Sequence, residues 1–294
     1  MNKFLERLNS GEVLVADGST GANLQKMGLK PGQPPEDLVI DNPDMVLKLA
    51  GMFVEAGSDI ILTCTFGGSR IRMKDSKYQD RAPEINTRAA EIARKAASRR
   101  DGVLVAGSIG PVGALIKPYG PLEAEEVKTT FTEEAKALVE GGVDLLLIET
   151  MFAFEEATAA FEGARTVTDL PIIVSFSYDR GTRTMMGVKP KDVIKKYSEL
   201  GAVMVGANCG TTLENMESIV KEYVATLPAV PLWVKPNAGV PHMDVETEQG
   251  VYDMTPEDMA AYARKYVELG ARVVGGCCGS TPEHVAAIAK AVKQ

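Results

Sequence analysis

The sequence is poor in the features that mark several large classes of protein. It has four cysteines with no regular spacing among 294 residues, so it does not read as a secreted disulfide framework, and a reducing cytoplasmic compartment is expected. Lysine and arginine total 32 against 40 aspartates and glutamates, which gives a formal net charge of −8. Because binding to nucleic acid needs a basic face, this charge argues against a nucleic acid partner.

Long apolar runs are also missing. No stretch approaches the roughly 20 apolar residues that a membrane helix needs. The first eight residues form a short amphipathic turn without the apolar core of a signal peptide. With 45% hydrophobic and 24% charged residues, the composition is that of a globular protein long enough to bury a large core. We predict a cytoplasmic protein without membrane contact.

Histidine and tryptophan are scarce, with two histidines and one tryptophan. His242 lies in a Pro-His loop and His284 in the first turn of a helix, so neither is placed as the base of a Ser/His/Asp arrangement, and surface roles are predicted for both. That helix is predicted to begin at a capping box formed by Ser280 and Glu283. Trp233 lies within an apolar segment and is predicted to be a core residue.

What the sequence does have is a regular alternation of apolar segments and amphipathic helices. The predicted strands are Val13–Asp17, Asp59–Thr65, Val103–Gly107, Asp144–Glu149, Pro171–Ser177, Ala202–Ala207, Pro231–Lys235 and Ala271–Gly275. The predicted helices are Pro43–Ala56, Glu84–Ser98, Leu122–Glu140, Phe154–Thr166, Pro190–Leu200 and Leu213–Ala225, with two more beginning at Thr255 and Ser280.

Eight strand–helix units favour a single (β/α)8 TIM barrel that forms one domain over residues 1–294. The near-continuous apolar strands fit parallel strands buried on both faces. The main alternative is a doubly wound sheet, which would have a G-x-G-x-x-G turn after its first strand. Asp17–Gly21 lacks that spacing.

Polar and glycine residues follow these strands where they end. In a barrel, all such residues fall on the carboxyl-terminal rim, which holds the active site. Glu149 is the strongest single candidate, because a charged group at the end of a buried strand is costly unless it has a role. The candidates on this rim are Asp17, Gly18, Thr65, Phe66, Glu149, Cys209, Asn237, Cys277 and Cys278.

Three of the four cysteines lie beside glycines at the ends of strands six and eight. Since only strand seven separates these two strands, Cys209, Cys277 and Cys278 can converge. Three thiolates with one open position are typical of catalytic zinc. Two alternatives stay open, namely three buried apolar cysteines and a redox pair of Cys277 and Cys278. Cys64 alternates to the opposite side of its strand and is predicted to be a core residue.

Motifs along nearly the whole chain give it a resemblance to a known family. In order, they are Asp17-Gly-x-x-Gly21, Pro35-Glu36, Thr63-x-Thr65-Phe66, Gly107-x-Ile-Gly-Pro111, Ile148-Glu149-Thr150, Asn208-Cys209, Pro236-Asn-Ala-Gly239 and Gly275-Gly-Cys-Cys-Gly279. With these motifs the chain resembles the homocysteine S-methyltransferase family, which includes the homocysteine-binding barrel of cobalamin-dependent methionine synthase. The resemblance implies a (β/α)8 barrel, as the periodicity does.

The resemblance also implies a zinc site. Zn²⁺ would be held by Cys209, Cys277 and Cys278, with the sulfur of homocysteine as the fourth ligand and Asn237 in that position before the substrate arrives. Zinc deprotonates a bound thiol, and the resulting nucleophile would take up a methyl group to give methionine. The three cysteines and Glu149 are therefore the predicted catalytic residues.

An amino-acid site is the second implication of the resemblance. Asp17 and Glu149 would bind the ammonium group of homocysteine. Gly18 and Thr65 would lie near its carboxylate, and Phe66 is predicted to line the same site.

The methyl donor is the open part of the hypothesis. The segment Gly107–Gly120 is similar to the methionine synthase barrel, which favours a methylated corrinoid carried by a separate protein. S-methylmethionine and S-adenosylmethionine are alternatives, as is a related corrinoid-linked methyltransferase or demethylase acting on another substrate. Betaine is disfavoured, because a tryptophan box for quaternary ammonium groups is absent.

A non-catalytic zinc- or thiol-binding module is the alternative from a different functional class. It would need the cysteines but not Asp17, Glu149 and the glycine turns. Their joint presence favours an enzyme.

Overall fold

Eight parallel strands form a barrel at the centre of the molecule. The computed structural model describes residues 2–30, 32–210, 212–227, 229–243 and 250–293. The barrel strands are β1 Leu14–Val15, β2 Ile60–Leu62, β3 Leu104–Ile109, β4 Leu145–Met151, β5 Ile172–Phe176, β6 Met204–Cys209, β7 Leu232–Pro236 and β10 Ala271–Val274. A short antiparallel hairpin, β8 His242–Met243 and β9 Gly250–Val251, lies between β7 and β10 in the chain.

The strands follow the chain order around the barrel. Hydrogen bonds join each strand from β2 to β7 to the next one, β7 pairs with β10, and β10 pairs with β1. A parallel bridge between Ala16 and Ile60 joins the end of β1 to β2 and closes the ring. The prediction of a single (β/α)8 barrel is thereby confirmed.

Helices surround the barrel on the outside. They are α1 Lys3–Asn9, α2 Thr20–Lys26, α3 Leu38–Asp41, α4 Pro43–Glu55, α5 Ala82–Ala97, α6 Ala124–Glu140, α7 Phe154–Arg165, α8 Pro190–Glu199, α9 Leu213–Thr226, α10 Pro256–Leu269 and α11 Pro282–Val292. The starts of the eight predicted helices and the six ends that were predicted are confirmed within two residues, whereas α2 and α3 were not predicted. None of the described helices combines the length and apolar character that a membrane span requires.

The start of α11 differs from the prediction. Thr281 is its N-cap, and the Nδ1 atom of His284 accepts a hydrogen bond of 3.1 Å from the Thr281 N–H. Ser280 does not cap this helix, because its hydroxyl donates to the carbonyl of Cys277. The surface role predicted for His284 was also wrong. This side chain is 9% exposed, and its Nε2 lies 2.9 Å from the carbonyl oxygen of Met254.

The lower part of the barrel interior is apolar and sealed. Side chains alternate between the two faces of a strand, so every second residue of the barrel strands points inward. Phe4 of α1 covers the amino-terminal end and is fully buried, although the sequence indicated only a short turn there. We call the following buried cluster the lower layer: Phe4, Leu14, Ala16, Ile60, Leu104, Ala106, Leu145, Leu147, Ile173, Met204, Trp233 and Val273. Trp233 is thus a core residue, as predicted.

Candidate metal and substrate site

Two residues further along the strands, toward the carboxyl-terminal end of the barrel, the inward-facing residues become polar. Glu149 follows Leu147 on β4, Ser175 follows Ile173 on β5, and Lys235 follows Trp233 on β7. All are buried. We call the following five residues the upper layer: Ser108, Glu149, Ser175, Asn208 and Lys235. They form the floor beneath the carboxyl-terminal mouth of the barrel.

Hydrogen bonds hold the carboxylate of Glu149 from two sides. The Ser108 hydroxyl donates to its Oε1 at 2.6 Å, and Asn208 Nδ2 donates to its Oε2 at 3.3 Å. Burial raises the pKa of Glu149 to about 7, against the opposing effect of the nearby Lys235 charge. Glu149 therefore lies in a buried environment near other charged groups, and its role in the site stays a prediction.

Asp17 lies across the barrel mouth and is paired with a lysine. Its Oδ1 accepts a hydrogen bond of 2.7 Å from Lys235 Nζ, and its Oδ2 accepts one of 2.7 Å from the Leu62 N–H. Both members of the ion pair are buried, at 4% and 2% side-chain exposure. Sequence reasoning missed Lys235, although it ends an apolar strand in the same way as Glu149.

The three cysteines meet directly above the upper layer. The Sγ atoms of Cys209 and Cys277 are 2.7 Å apart, those of Cys209 and Cys278 are 3.9 Å apart, and all three lie within 4.8 Å of one another. In the described part of the chain, no other three His, Cys, Asp or Glu side chains converge so closely. Cys64 is buried away from this cluster, as predicted.

Backbone geometry at two strand ends aims these sulfurs into the mouth. Cys209 has φ of 56° and Gly210 has φ of 80°, so the chain enters the left-handed region just as β6 ends. For a cysteine this conformation is uncommon and strained, and such strain concentrates at functional sites. The other turn is held by the Cys277 N–H, which donates to the carbonyl of Pro236 at 2.7 Å.

The three thiols share their protons. A thiolate at Cys278 accepts hydrogen bonds from Cys209 and from Cys277, which lowers the pKa of Cys278 to about 3. The contact with Cys277 raises the pKa of the Cys209 thiol well above its ordinary value. The cluster therefore holds one thiolate supported by two thiols in a mostly buried place, where a divalent cation would stabilise further thiolates.

This donor set fits zinc. Zinc binds thiolates in tetrahedral geometry, and two sulfurs at about 2.3 Å from the metal are about 3.8 Å apart. The separation of Cys209 and Cys278 is 3.9 Å. Cys209 and Cys277, now 2.7 Å apart, would have to separate by about 1 Å, which a side-chain rotation provides. Three protein ligands leave the fourth position for another molecule.

Asn237 connects the two cysteine turns. Its Oδ1 accepts a hydrogen bond of 3.0 Å from the Cys278 N–H, and its Nδ2 donates one of 3.1 Å to the carbonyl of Gly210. The structure therefore shows Asn237 beside the cluster, with both ends of its amide engaged in holding these turns together.

The other predicted substrate residues differ in their positions. Thr65 is fully buried, and its hydroxyl donates to the carbonyl of Ser108 at 2.7 Å, so it supports the wall of the site. A Cβ on Gly18 would lie 2.8 Å from the Phe53 ring and 2.9 Å from Ser280 Oγ, so close packing requires glycine there. Phe66 is on the rim with 41% of its surface exposed.

Two residues near the cluster carried no role in the sequence prediction. Asn208 donates to Glu149 and to the Thr150 hydroxyl at 2.7 Å, and its Oδ1 accepts from Ser175 at 2.6 Å, which ties neighbouring strands together. Tyr252 follows β9, and its hydroxyl helps to lower the pKa of Cys278. The spacing of the sequence gave no signal for Tyr252, whose ring the fold brings against Gly279 beside the cysteine turn.

Comparisons with known proteins agree with this geometry. A model of the homocysteine S-methyltransferase family matches residues 14–292. The methionine synthase of Mycobacterium leprae (strain TN) is 29% identical over 296 aligned residues, which cover 95% of this chain and 24% of that protein. The chain thus spans about a quarter of the length of this curated relative.

Solved structures show the same fold. The metallated form of the homocysteine methyltransferase MmuM from Escherichia coli has a TM-score of 0.83 at 22% identity, with 98% of this chain and 99% of that chain covered. A methyltransferase from Methanosarcina mazei has a TM-score of 0.64 at 15% identity, with coverage of 99% and 97%. At these identities the likeness supports the barrel architecture.

Proposed function

The chain belongs to the homocysteine S-methyltransferase family, and on that premise we propose that it is a zinc-dependent enzyme that methylates the thiol of homocysteine to give methionine. The observation that carries the proposal is the convergence of Cys209, Cys277 and Cys278 within 4.8 Å. They stand directly above the upper layer, whose charges suit an amino acid.

The three cysteines would hold the metal, and the upper layer would hold the amino acid. Bound zinc would supply Lewis acidity that keeps a thiol deprotonated at neutral pH without redox change. Glu149 would bind the ammonium group of the substrate, while Ser108 and Asn208 keep the carboxylate of Glu149 in place. Since these groups are fixed before the substrate arrives, the enzyme spends little binding energy on orienting them.

The reaction itself is a group transfer. The substrate thiol gives up its proton to solvent, and its sulfur attacks the methyl carbon. A sulfur–carbon bond forms as the bond between methyl and donor breaks, and the donor leaves with that electron pair. Tyr252, whose ring lies against Gly279 so that a Cβ there would overlap it, covers one side of the cysteine cluster and would restrict the entry of water.

We propose a methylated corrinoid carried by a separate protein as the donor. The likeness to a methionine synthase supports this choice. Four large apolar side chains are exposed on loops that follow barrel strands, and a donor protein that reaches the barrel mouth would meet these loops. These side chains and their exposed fractions are Phe66 with 41%, Tyr119 with 65%, Met185 with 53% and Val240 with 51%.

The experiment measures methionine formed from L-homocysteine by zinc-loaded protein with three donors in parallel: methylcobalamin, S-methylmethionine and S-adenosylmethionine. We expect turnover with methylcobalamin that is lost in Cys278→Ser and retained in Cys64→Ala, the matched cysteine control outside the cluster. Turnover with either sulfonium donor would move the assignment to that donor. No methionine with any of the three would contradict the proposed reaction.

A further inference from the structure

Lys235 is the feature of this site that the proposed function does not yet use. It is the second-last residue of β7, points into the barrel and is 2% exposed. Burying an ammonium group is costly unless opposite charge and hydrogen bonds compensate. The ammonium group of Lys235 therefore needs hydrogen-bond acceptors or negative charges nearby.

Asp17 is the only hydrogen-bond partner that the described residues offer to this ammonium group. Lys235 Nζ donates to Asp17 Oδ1 at 2.7 Å, and an ammonium group has three N–H donors. The second oxygen of Asp17 is engaged by the Leu62 N–H. Two donors of a buried cation thus remain without a hydrogen-bond partner among the described residues.

The charges around Lys235 keep it in its cationic form. Asp17, whose Oδ1 lies 2.7 Å from Lys235 Nζ, is a buried anion that favours the cationic form. Glu149, which is proposed to bind the ammonium group of the substrate, has Ser108 and Asn208 as its own hydrogen-bond partners. Positive and negative groups therefore stand side by side on the floor of the site, beneath the cysteine cluster.

A zwitterionic amino acid is complementary to that arrangement. Its ammonium group matches Glu149, and its carboxylate needs a cation or several N–H donors. Thr65, one of the predicted carboxylate partners, is fully buried and donates its hydroxyl proton to the carbonyl of Ser108. Among the described residues of the upper layer, Lys235 is the cationic donor.

We propose that Lys235 binds the carboxylate of the thiol substrate while Glu149 binds its ammonium group, so that the site selects α-amino-acid thiols over simple aminothiols. This inference rests on the proposed homocysteine-binding function. It concerns recognition of the carboxylate alone, and so it can fail while that function stands.

The test compares two ligands that differ only in the carboxylate. L-homocysteine and 3-aminopropane-1-thiol are titrated into zinc-loaded protein, and both dissociation constants are measured by calorimetry for the wild type, K235M, K235Q and the exposed-lysine control K191M. Since a hydrogen bond to a charged group contributes roughly 1.5–3 kcal/mol, we expect the wild type and K191M to prefer homocysteine by about 10- to 100-fold. In K235M and K235Q the preference should fall to nearly one, because homocysteine alone loses affinity.

The outcomes separate the inference from the function on which it rests. If the lysine variants weaken both ligands equally and keep the wild-type preference, Lys235 has a structural role and the inference is overturned. If the wild type binds neither ligand, the proposed function itself fails. Zinc content and far-ultraviolet circular dichroism of each variant identify any that has not folded, and K235Q, which keeps a polar side chain, gives a second reading if K235M is unstable.

Discussion

The lower and upper layers of the barrel interior are built by the same strands, but the lower layer is apolar and the upper layer is polar and charged. On β4 the inward-facing residue changes from Leu147 to Glu149, and on β7 it changes from Trp233 to Lys235. Two residues along a strand correspond to only about 7 Å. Over that distance the interior passes from a buried apolar core to a charged floor beneath three thiols.

The difference shows how this barrel separates stability from chemistry. Side chains of the lower layer pack together as one apolar cluster, although the Trp233 ring also lies 5.8 Å from Lys235 Nζ, so their main contribution is burial of apolar surface. Side chains of the upper layer form hydrogen bonds with one another. Asn208 and Ser108, for example, donate to the two oxygens of Glu149. We therefore expect substitutions in the lower layer to change the free energy of unfolding, and those above it to change ligand binding.

The largest expected effect is on stability. Leu147→Ala removes a fully buried side chain of the lower layer and should lower the free energy of unfolding by about 2–5 kcal/mol, because it creates a cavity. Urea unfolding of the zinc-free protein measures this change. Folded Leu147→Ala should still bind one zinc ion per chain, and loss of zinc from the folded variant would show that the layers are coupled.

Removing one sulfur from the cluster should have the next largest effect. We expect Cys278→Ser to lower the affinity for zinc by at least about 100-fold, since even partners of metal ligands cost 10- to 100-fold when they are removed. Competition with a coloured chelator measures this affinity. Cys64 is a buried cysteine outside the cluster, so Cys64→Ala should bind zinc as the wild type does. An equal loss of zinc affinity in both variants would contradict the assignment.

Glu149 is the carboxylate of the upper layer that is expected to bind substrate. Glu149→Gln keeps the shape and one acceptor oxygen but removes the charge, and it should raise the KM for homocysteine by about 10-fold or more, since a charge-assisted hydrogen bond is lost. Zinc content should stay the same. The matched control is Glu156→Gln on α7, a buried carboxylate that accepts from the Val112 N–H at 2.7 Å. A similar rise in KM for both variants would contradict the prediction that Glu149 binds the substrate.

Glu134 on α6 is a buried carboxylate outside the barrel, and the smallest effect is expected there. Among the described residues neither of its oxygens has a hydrogen-bond partner, and burial raises its pKa well above the ordinary value of 4.5. The folded protein thus holds a proton that the unfolded chain releases, so stability falls as the pH rises above about 4.5. Glu134→Gln should gain about 1 kcal/mol at pH 7.

Thermal unfolding of Glu134→Gln and the wild type at pH 5 and pH 7 shows whether the substitution stabilises the protein and how that effect changes with pH. The gain should be larger at pH 7 than at pH 5, because the variant lacks the contribution of Glu134 to the loss of stability over that interval. A variant less stable than the wild type at pH 7 would indicate that Glu134 has a partner with a positive charge.

Much of the site followed from the sequence because strand ends of a barrel share one rim. The convergence of Cys209 with Cys277 and Cys278 needed only the strand order, and Glu149 needed only the cost of burying a charge. Lys235 was missed although the same cost applied, because its partner Asp17 lies two strands away across β10. The wrong N-cap for α11 has a similar origin, since the Ser280 hydroxyl is bound to the Cys277 turn.

The measurement that tests the central claim most directly is zinc X-ray absorption of the loaded protein with and without L-homocysteine. The account predicts three sulfur ligands in the free protein, from Cys209, Cys277 and Cys278, and four after homocysteine is added. Three sulfurs both before and after the addition, at full zinc occupancy, would contradict the claim that this site activates the thiol of homocysteine.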